Sequence, residues 1–377
     1  MALTRAFLNG VNYDDVNNLT KPIIINGDMN ISQRYTSKTG ITSETKLADR
    51  WTLNIGSSGT HTYSQGTGPG TFGLTKCIKI DCTSANNSAS DADANMYITT
   101  ALEGHDVQLF RKGTSDAKAF TISFFVRSNV TGTGVVEFWD RDNDRNIIRT
   151  YTIDSADTWE RKVLNYDMET SNAFTDDFNK SVNIGWWIES GSDFDGGTAQ
   201  TSWGSRTDAN RAVGQNLNIA SSTDNEFLLT GCMIVPGTFD SETIPDYPIE
   251  TTEQNLYRCQ RYCMVVGSGD ANYQNIGVLG LGVGTTIVDT IQPLHPPMRA
   301  EPSMSNSGNL QASNGSSGFA ATAIAITSVS NSRQSAGIRL TVGSGLTAGD
   351  AYRIEQANSS SSVVFLEAEI WYRVQNI

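Results

Sequence analysis

The chain has 377 residues, 40 of them acidic and 27 basic, and a net charge of −13. A single hydrophobic core rarely serves more than about 250 to 300 residues, so this length predicts two domains. The basic residues are scattered along the sequence, which argues against nucleic acid as a partner because phosphate binding needs a concentrated basic surface. No stretch is apolar for long enough to cross a bilayer or to form a secretory signal, so we expect no membrane insertion.

The first 22 residues form a candidate arm. Phe7, Leu8, Val11 and Tyr13 place apolar side chains in a segment too short to build a core of its own. Such a segment is normally ordered only when another surface holds it. We therefore expect residues 1–22 to attach the chain to another protein.

An all-β domain is predicted for residues 23–250. Phe120, Ile122, Phe124 and Val126 occupy alternate positions, which gives a strand with one apolar face, as in a β-sandwich. Eight or so short strands joined by long polar connections suit a jelly roll, in which two antiparallel sheets cover each other. The other predicted strands lie at 77–82, 96–100, 136–138, 147–153, 159–164, 182–189 and 227–235.

A polar turn at 140–146 joins two of these strands into a predicted hairpin. Asp140, Asp142 and Asp144 have the alternation of the first ligands of a calcium loop. The glycine expected at the sixth position and the acid expected at the twelfth are replaced by Arg145 and Tyr151. A plain polar hairpin tip is the preferred interpretation, and a bound calcium ion is the alternative.

Tryptophans are concentrated in this domain, and an indole face can stack against a sugar ring. Trp186 and Trp187 are adjacent on a predicted strand, so they must point to opposite faces of the sheet. Trp203 lies in a long polar loop beside Arg206. Packing is the preferred role for each tryptophan, and the candidate ligand-binding residues are Trp203, Trp187 and Arg206.

A second, smaller β-sandwich is predicted for residues 251–377, after a linker with Pro245 and Pro248 and a short helix that begins near Thr251. The strand predicted at 363–374 has one wholly apolar face. Its other face holds Phe365 and Trp371, which are left for a neighbouring subunit or a covering loop. The remaining strands are predicted at 277–283, 285–291, 320–329 and 337–342, with an exposed loop at 303–318.

The residues that usually carry catalysis show no organised pattern. Acidic pairs occur no more often than 40 acids would place them by chance, and His61, His105 and His295 are isolated from one another. The five cysteines lack the paired spacing of a metal site and are expected to be reduced and mostly buried. We therefore expect no enzymatic activity and no cofactor, with calcium as the only open alternative.

Two matched segments frame the larger domain. The first contains Asn26-Gly27-Asp28, Gln33-Arg34 and Ala48-Asp49-Arg50-Trp51, and the second runs from Glu226 through Pro236-Gly237 to Cys259-Gln260-Arg261-Tyr262. Together they resemble a family of bacteriophage virion fibre and receptor-binding proteins. In that family these segments frame a jelly roll similar to those of carbohydrate-binding modules. The resemblance covers roughly residues 23–265.

The resemblance implies a non-enzymatic structural protein of a phage virion, made in the host cytoplasm. A tail fibre or fibre-like appendage is the first interpretation, with host adhesion through a surface polysaccharide as its role. The arm would then bind other virion proteins of the tail or capsid. Fibre proteins are commonly threefold, so the resemblance also implies a homotrimer. The alternatives are a capsid decoration or head-fibre protein and, less favoured, a carbohydrate-active enzyme with a binding module.

Overall fold

In a computed structural model, residues 21–86, 91–267, 273–327, 331–357 and 363–369 are described. The chain divides into two compact units, with the boundary between Thr252 and Glu253. The candidate arm residues Phe7, Leu8, Val11 and Tyr13 lie outside the described ranges, as does Trp371. Within those ranges, no helix is long and apolar enough to cross a bilayer.

The first unit consists almost entirely of antiparallel strands, and its helices are single turns. The longer turns are α1, Gly104–Val107, and α2, Ser192–Asp195. The strands are β1 Ser37–Ile41, β2 Thr45–Lys46, β3 Thr52–Gly56, β4 Thr60–Thr67, β5 Lys76–Ser84, β6 Asn95–Glu103, β7 Phe120–Ser128, β8 Gly132–Asp140, β9 Arg145–Ile153, β10 Glu160–Tyr166, β11 Lys180–Ser190, β12 Gly204–Ser205 and β13 Glu226–Pro236.

These strands form two sheets packed face to face. A six-stranded sheet has the order β1-β4-β5-β13-β7-β10, and a seven-stranded sheet has the order β12-β9-β8-β11-β6-β3-β2. Several neighbouring strands, such as β5 and β13 or β6 and β11, are distant in sequence, as in a jelly roll. The predicted jelly-roll sandwich is therefore confirmed, and each strand predicted for this domain overlaps one of the observed strands.

The core lies between the two sheets and is built from alternate residues of each strand. Phe124 of β7 and Trp186 of β11 both point inward, with ring centroids 5.9 Å apart. Trp51, just before β3, lies 5.3 Å from Trp186. All three side chains are buried. The period of two that predicted β7 therefore places the largest aromatic side chains at the centre of the sandwich.

The first motif of the resemblance forms a cluster of hydrogen bonds at the start of the first unit. The Asn26 side-chain amide donates to the backbone carbonyls of Ile31 and Asp49, at 2.9 and 2.8 Å. The Trp51 indole donates back to the carbonyl of Asn26 at 2.9 Å. Asn26 has a φ of 55°, in the left-handed region that asparagine tolerates better than most residues. These bonds hold the entry to the sandwich in one conformation.

The second motif contacts this hydrogen-bonded cluster at β13. The backbone N–H of Cys232 donates to the carbonyl of Gly27 at 2.9 Å. A Cβ atom on Gly27 would lie 2.1 Å from the carbonyl oxygen of Cys232, so only glycine fits at this position. The two segments recognised in the sequence are therefore in direct contact in the fold.

The segment predicted as a linker contains no strand, but it is not free of the first unit. Ile244 and Tyr247 are buried and pack with Leu74, Phe125 and Met233 on the six-stranded sheet. The prolines prevent sheet pairing, and the apolar residues beside them, Ile244 and Tyr247, cover part of the six-stranded sheet.

The second unit begins with α3, Thr252–Gln260, which confirms the predicted helix. A closed barrel of order β15-β16-β20-β19-β18-β21 takes the place of the expected small sandwich, and a three-stranded sheet β14-β22-β17 accompanies it. The region 303–318, predicted as a loop, contains two strands instead. The strands are β14 Cys263–Val266, β15 Gly280–Gly282, β16 Ile287–Pro293, β17 Ser303–Ser307, β18 Leu310–Ser313, β19 Gly318–Ile326, β20 Ser335–Val342, β21 Ala351–Gln356 and β22 Val363–Glu367.

The contact between the two motif segments predicts a strong effect of Gly27→Ala. The new methyl group must displace the backbone at Cys232, which should lower the free energy of unfolding by about 1–3 kcal/mol or more. Gly185→Ala in β11 is the control, because its Cβ would meet its nearest atom at an ordinary 3.4 Å. Urea unfolding followed by tryptophan fluorescence measures both. Equal stabilities of the two variants would contradict the proposed role of Gly27.

Candidate functional site

The candidate site is the face of the seven-stranded sheet that points away from the six-stranded sheet, here called the outer face. Strand alternation places polar and aromatic side chains on it, while the residues between them enter the core. Cross-strand pairing arranges its central residues in three rows, Trp139-Asn183-Ala101, Glu137-Gly185-Thr99 and Val135-Trp187-Tyr97.

A long loop, residues 191–217, covers one end of the outer face. It carries α2 and β12 and is tied to the sheet by the N–H of Gly191, which donates to the carbonyl of Ala94 at 2.7 Å. Phe194 and Ala212 pack on the aromatic row of Tyr97 and Trp187. The loop therefore covers the row of aromatic rings, Tyr97 and Trp187, on which a sugar could have stacked.

A buried ion pair fixes this loop in place. Nε of Arg211 lies 3.2 and 3.1 Å from the two carboxylate oxygens of Glu137. The same carboxylate accepts hydrogen bonds from the amide of Asn146 at 3.0 Å and the indole of Trp187 at 3.2 Å. The side chains of Arg211 and Glu137 are only 4% and 2% exposed. Glu137 is thus fully engaged as a hydrogen-bond acceptor.

Trp187 is fully buried, so the interpretation of this residue as a sugar-stacking side chain is corrected. Its ring stacks on Tyr97 with centroids 4.1 Å apart and lies 5.4 Å from Phe194. The guanidinium of Arg211 sits 4.7 Å from its centroid. No face of this indole is open to a ligand.

Trp203 is half-buried and packs against the core. Its indole donates to the carbonyl of Asp167 at 2.7 Å, its ring lies 5.8 Å from Phe138, and the ammonium of Lys112 is 4.9 Å from its centroid. Both neighbours limit the ring surface that a sugar could reach. These contacts favour a packing role for Trp203, as preferred from the sequence.

Arg206 does reach the outer face, where it covers a tryptophan. Its guanidinium carbon is 4.0 Å from the ring centroid of Trp139, and that of Arg141 is 3.9 Å from the same centroid. The Trp139 indole donates to Asp144 at 3.1 Å, and Trp139 is 5% exposed. The ring therefore supports two guanidinium groups by cation–π contact and presents little surface of its own.

The hairpin tip predicted at 140–146 is present, but its carboxylates serve other partners. Asp140 is fully buried, and its Oδ2 lies 2.8 Å from Nζ of Lys112. Asp142 accepts from the backbone N–H of Thr175 at 2.8 Å. Asp144 accepts from the Trp139 indole at 3.1 Å, so each of the three carboxylates has a hydrogen-bond partner within the protein.

A lysine ammonium therefore occupies the position next to Asp140 that the calcium alternative would give to a metal. Lys112 also lies 3.1 Å from Glu169, and the paired Lys112 and Arg145 lower the pKa of that carboxyl against the opposing effect of its burial. The described ranges contain no group of three or more His, Cys, Asp or Glu side chains that could hold a metal ion. The arrangement does not fit a calcium ion.

The rest of the outer face lies beside the covered end. Asn183 and Gly185 of β11 and Thr99 of β6 lie next to one another there, and all three are buried. Basic residues lie on the neighbouring elements: Arg141 follows β8, Lys180 begins β11, Lys46 ends β2, and Arg50 precedes β3. Lys46 is 3.7 Å from the carboxylate of Glu44.

The oligomer residues proposed from the sequence lie in the second unit. Phe365 of β22 is half-buried and paired with Val265 of β14 and Ser305 of β17. A sheet position with strands on both sides gives it a structural role in its own unit. Its part in an interface stays a prediction, as does that of Trp371.

The cysteines agree with the sequence-based expectation. All five are free and buried. Burial raises the pKa of the Cys77 thiol to about 12, so this group stays protonated at physiological pH. Thiol chemistry at this position is disfavoured.

Sequence reasoning missed the residues that organise the outer face. Glu137, Asn183 and Arg211 are separated widely along the chain, and Glu137 lies 74 positions from Arg211. One signal was available, because Glu137 and Asn183 interrupt strands that are otherwise apolar. A polar residue at such a position points to the side of the sheet away from the core, or to a buried partner.

No protein-family model and no curated protein matches the sequence. Among solved structures, the enzymatically active domain of tailspike protein 4 of bacteriophage CBA120 is 9% identical, with a TM-score of 0.29, over 57% of this chain and 21% of that one. A family 4 carbohydrate-binding module is 12% identical, with a TM-score of 0.30, over 56% of this chain and 99% of that one. The family 11 module of a Clostridium thermocellum cellulase is 10% identical, with a TM-score of 0.27, over 53% and 99% of the two chains.

Similarities of this size say nothing about ligand or activity, so the functional argument comes from the residues of the outer face. Those residues combine a fixed loop, a covered aromatic row and guanidinium groups stacked on Trp139. Its one central carboxylate, Glu137, is already bonded to Arg211, Asn146 and Trp187.

The buried ion pair yields a prediction for Arg211→Met. This change removes the nearer cation of the buried Glu137 carboxylate and leaves only Arg206, whose Nε is 3.9 Å away, which should lower the free energy of unfolding by about 3 kcal/mol. The double variant Glu137→Gln/Arg211→Met should recover most of that loss. Asp116→Asn, which removes an exposed ion pair with Arg111, serves as the control and should have no measurable effect. Urea unfolding of all variants tests this, and an Arg211→Met loss no larger than that of the control would contradict the account.

Proposed function

We propose that the protein is a non-enzymatic structural component of a phage virion, a tail fibre or fibre-like appendage that binds a glycan on the host surface through the outer face. The observation that carries the proposal is the chemistry of this face. It is a sheet face that carries polar, charged and aromatic side chains, with the loop 191–217 fixed against one end by the Arg211–Glu137 pair. The carboxylate of its central acid, Glu137, accepts hydrogen bonds from Arg211, Asn146 and Trp187.

The hydrogen bonding of the central acid supports binding without hydrolysis. A glycosidase needs two carboxyl groups about 5–10 Å apart across the sugar, one of them able to donate a proton. Glu137 accepts bonds from Arg211, Asn146 and Trp187, so both of its carboxylate oxygens are already engaged within the protein. Retention of a sugar chain is the function that we assign to this face.

The virion role is supported by the two motif segments. Asn26, Gly27, Trp51 and Cys232 form one contact in the fold, so the sequence resemblance rests on residues that shape the jelly roll together. The alternative of a capsid decoration or head-fibre protein shares this architecture. Labelled particles viewed by electron microscopy separate the two, because label at the tail supports the proposal and label on the capsid supports the alternative.

The proposal predicts binding to host surface polysaccharide without its degradation. Purified protein should retain the polysaccharide in a pull-down, and a reducing-end assay on the same mixture should show no release of sugar. Reproducible sugar release that disappears when one acidic pair is mutated would overturn the non-enzymatic assignment. No retention of any host polysaccharide would overturn glycan binding.

Self-association through the second unit is part of the proposal, and the threefold order comes from the resemblance. Leu279, Leu281 and Val283 are 64%, 52% and 50% exposed on alternate positions in and around β15. Ile291 of the neighbouring β16 is 46% exposed. Aliphatic side chains this exposed on adjacent strands favour a partner surface, and a second copy of the chain supplies an identical one.

Sedimentation velocity of the full-length chain tests this arrangement. The wild type should sediment as a trimer at micromolar concentration. Leu281→Asp should shift it towards monomer without changing the unfolding midpoint, because the side chain is exposed in the single chain. Ile249→Asp, at an exposed position in the first unit, should leave the trimer intact. A wild type that sediments as a monomer at every concentration would contradict the proposed self-association.

A further inference from the structure

We infer that Lys112 and Asp140 condense after folding into an isopeptide bond, an amide between the lysine amine and the aspartate carboxyl group, and that Glu169 carries the protons. Such a modification is covalent and self-made, and it strengthens the first unit independently of any ligand. The contacts, the burial and the charge balance of these three side chains carry the inference.

The first observation is the contact between the amine and the carboxyl group. Nζ of Lys112 lies 2.8 Å from Oδ2 of Asp140, and the carboxyl carbon is one bond away from that oxygen. Lys112 precedes β7, and Asp140 is the last residue of β8, 28 positions later. The fold therefore holds together two groups that are distant in the chain. Fixed proximity of this kind turns a slow bimolecular condensation into a much faster intramolecular one.

The second observation is a carboxylate that can carry protons. Oε2 of Glu169 lies 3.1 Å from Nζ of Lys112. Glu169 takes one proton from the ammonium, and the resulting amine attacks the carboxyl carbon of Asp140. Glu169 then passes this proton and a second one from the nitrogen to Oδ2, which leaves as water. One C–N bond forms, one C–O bond breaks, and Glu169 ends in its starting state.

The third observation concerns the other oxygen of Asp140. Oδ1 accepts from the backbone N–H groups of Asp142 and Asn143 at 2.9 and 3.2 Å. Two backbone donors at one carboxyl oxygen stabilise the negative charge that it carries in a tetrahedral intermediate. The side-chain amide of Asn143 donates to Oδ2 at 2.9 Å. The hairpin tip thus orients the carboxyl group, with the leaving oxygen next to Lys112.

Burial supplies the driving force for condensation. The side chains of Lys112 and Asp140 are 0% exposed, and that of Glu169 is 12% exposed. The ring centroids of Phe174 and Trp203 lie 5.2 and 4.9 Å from the ammonium. Two charges held in such surroundings are costly to desolvate, and condensation replaces them with a neutral amide. The rings also limit the access of water, which would reverse the reaction.

The charges of the site balance before and after the reaction. Nη2 of Arg145 lies 2.7 Å from Glu169, so two cations face two carboxylates in the unreacted site. Condensation removes one charge of each sign and leaves Glu169 paired with Arg145. The N–H of the new amide keeps an acceptor in the backbone carbonyl of Asn172, which already accepts from Nζ of Lys112. The product is therefore satisfied without rearrangement of its neighbours.

Mass spectrometry of the denatured full-length chain tests the bond. The mass should be one water molecule below that of the sequence, and a tryptic digest should contain a branched peptide that joins Lys112 to Asp140. Lys79 is the internal control, because it lies 2.7 Å from Glu226 and 3.0 Å from Asp81 but is 30% exposed. Its peptides should be linear. A full sequence mass with linear Lys112 and Asp140 peptides would reduce the site to a buried ion pair and overturn the inference.

Three variants separate the bond from a purely structural role. Lys112→Arg keeps a cation beside Asp140 but cannot condense, so it should show the full mass and a lower unfolding midpoint, because the closed loop no longer restricts the unfolded chain. Asp140→Asn should still condense, with loss of ammonia, and reach the same final mass as the wild type. An Asp140→Asn chain that folds but keeps its ammonia would contradict the proposed attack on this carboxyl group.

Glu169→Gln tests the proton carrier. This variant should fold, as its unfolding midpoint will show, and should keep the full mass because its amide cannot accept a proton from the ammonium. Lys79→Arg is the matched control on the other sheet and should leave the loss of water complete. Complete condensation in folded Glu169→Gln would overturn the role assigned to Glu169.

Discussion

The ion pair between Arg211 and Glu137 is the interaction on which the outer face depends. It joins the loop 191–217 to the middle of the seven-stranded sheet at a distance of 3.1 Å, with both side chains almost fully buried. A buried pair is costly to desolvate, so it is kept where its geometry is needed. Here the pair holds the loop over the aromatic row of Tyr97 and Trp187.

The same constraint decides the roles of the aromatic residues. Trp186 fills the core and Trp187 lies under the loop, because adjacent residues of one strand face opposite ways. Trp139 carries two guanidinium groups on its ring. The tryptophan-rich region is therefore mainly a structural scaffold.

The fold could be predicted from local patterns, since the alternation in β7 and the polar turn at 141–144 are each contained within about ten residues. The site could not, because its contacts join distant residues. Lys112 lies 28 positions before Asp140, and its ammonium binds the carboxylate that looked like a calcium ligand. Trp187 could be placed on an outer face from the sequence, but only the loop packing shows that this face is covered. Likewise, the exposure of the aliphatic residues on the barrel depends on how its strands close into a barrel, and no short sequence pattern reveals that closure.

A crystal structure of the full-length protein bound to an oligosaccharide of the host surface would test the central claim most directly. The account predicts a sugar bound on the outer face of the seven-stranded sheet, beside the loop 191–217. An oligosaccharide bound on the six-stranded sheet or on the C-terminal barrel, with the outer face empty, would contradict it.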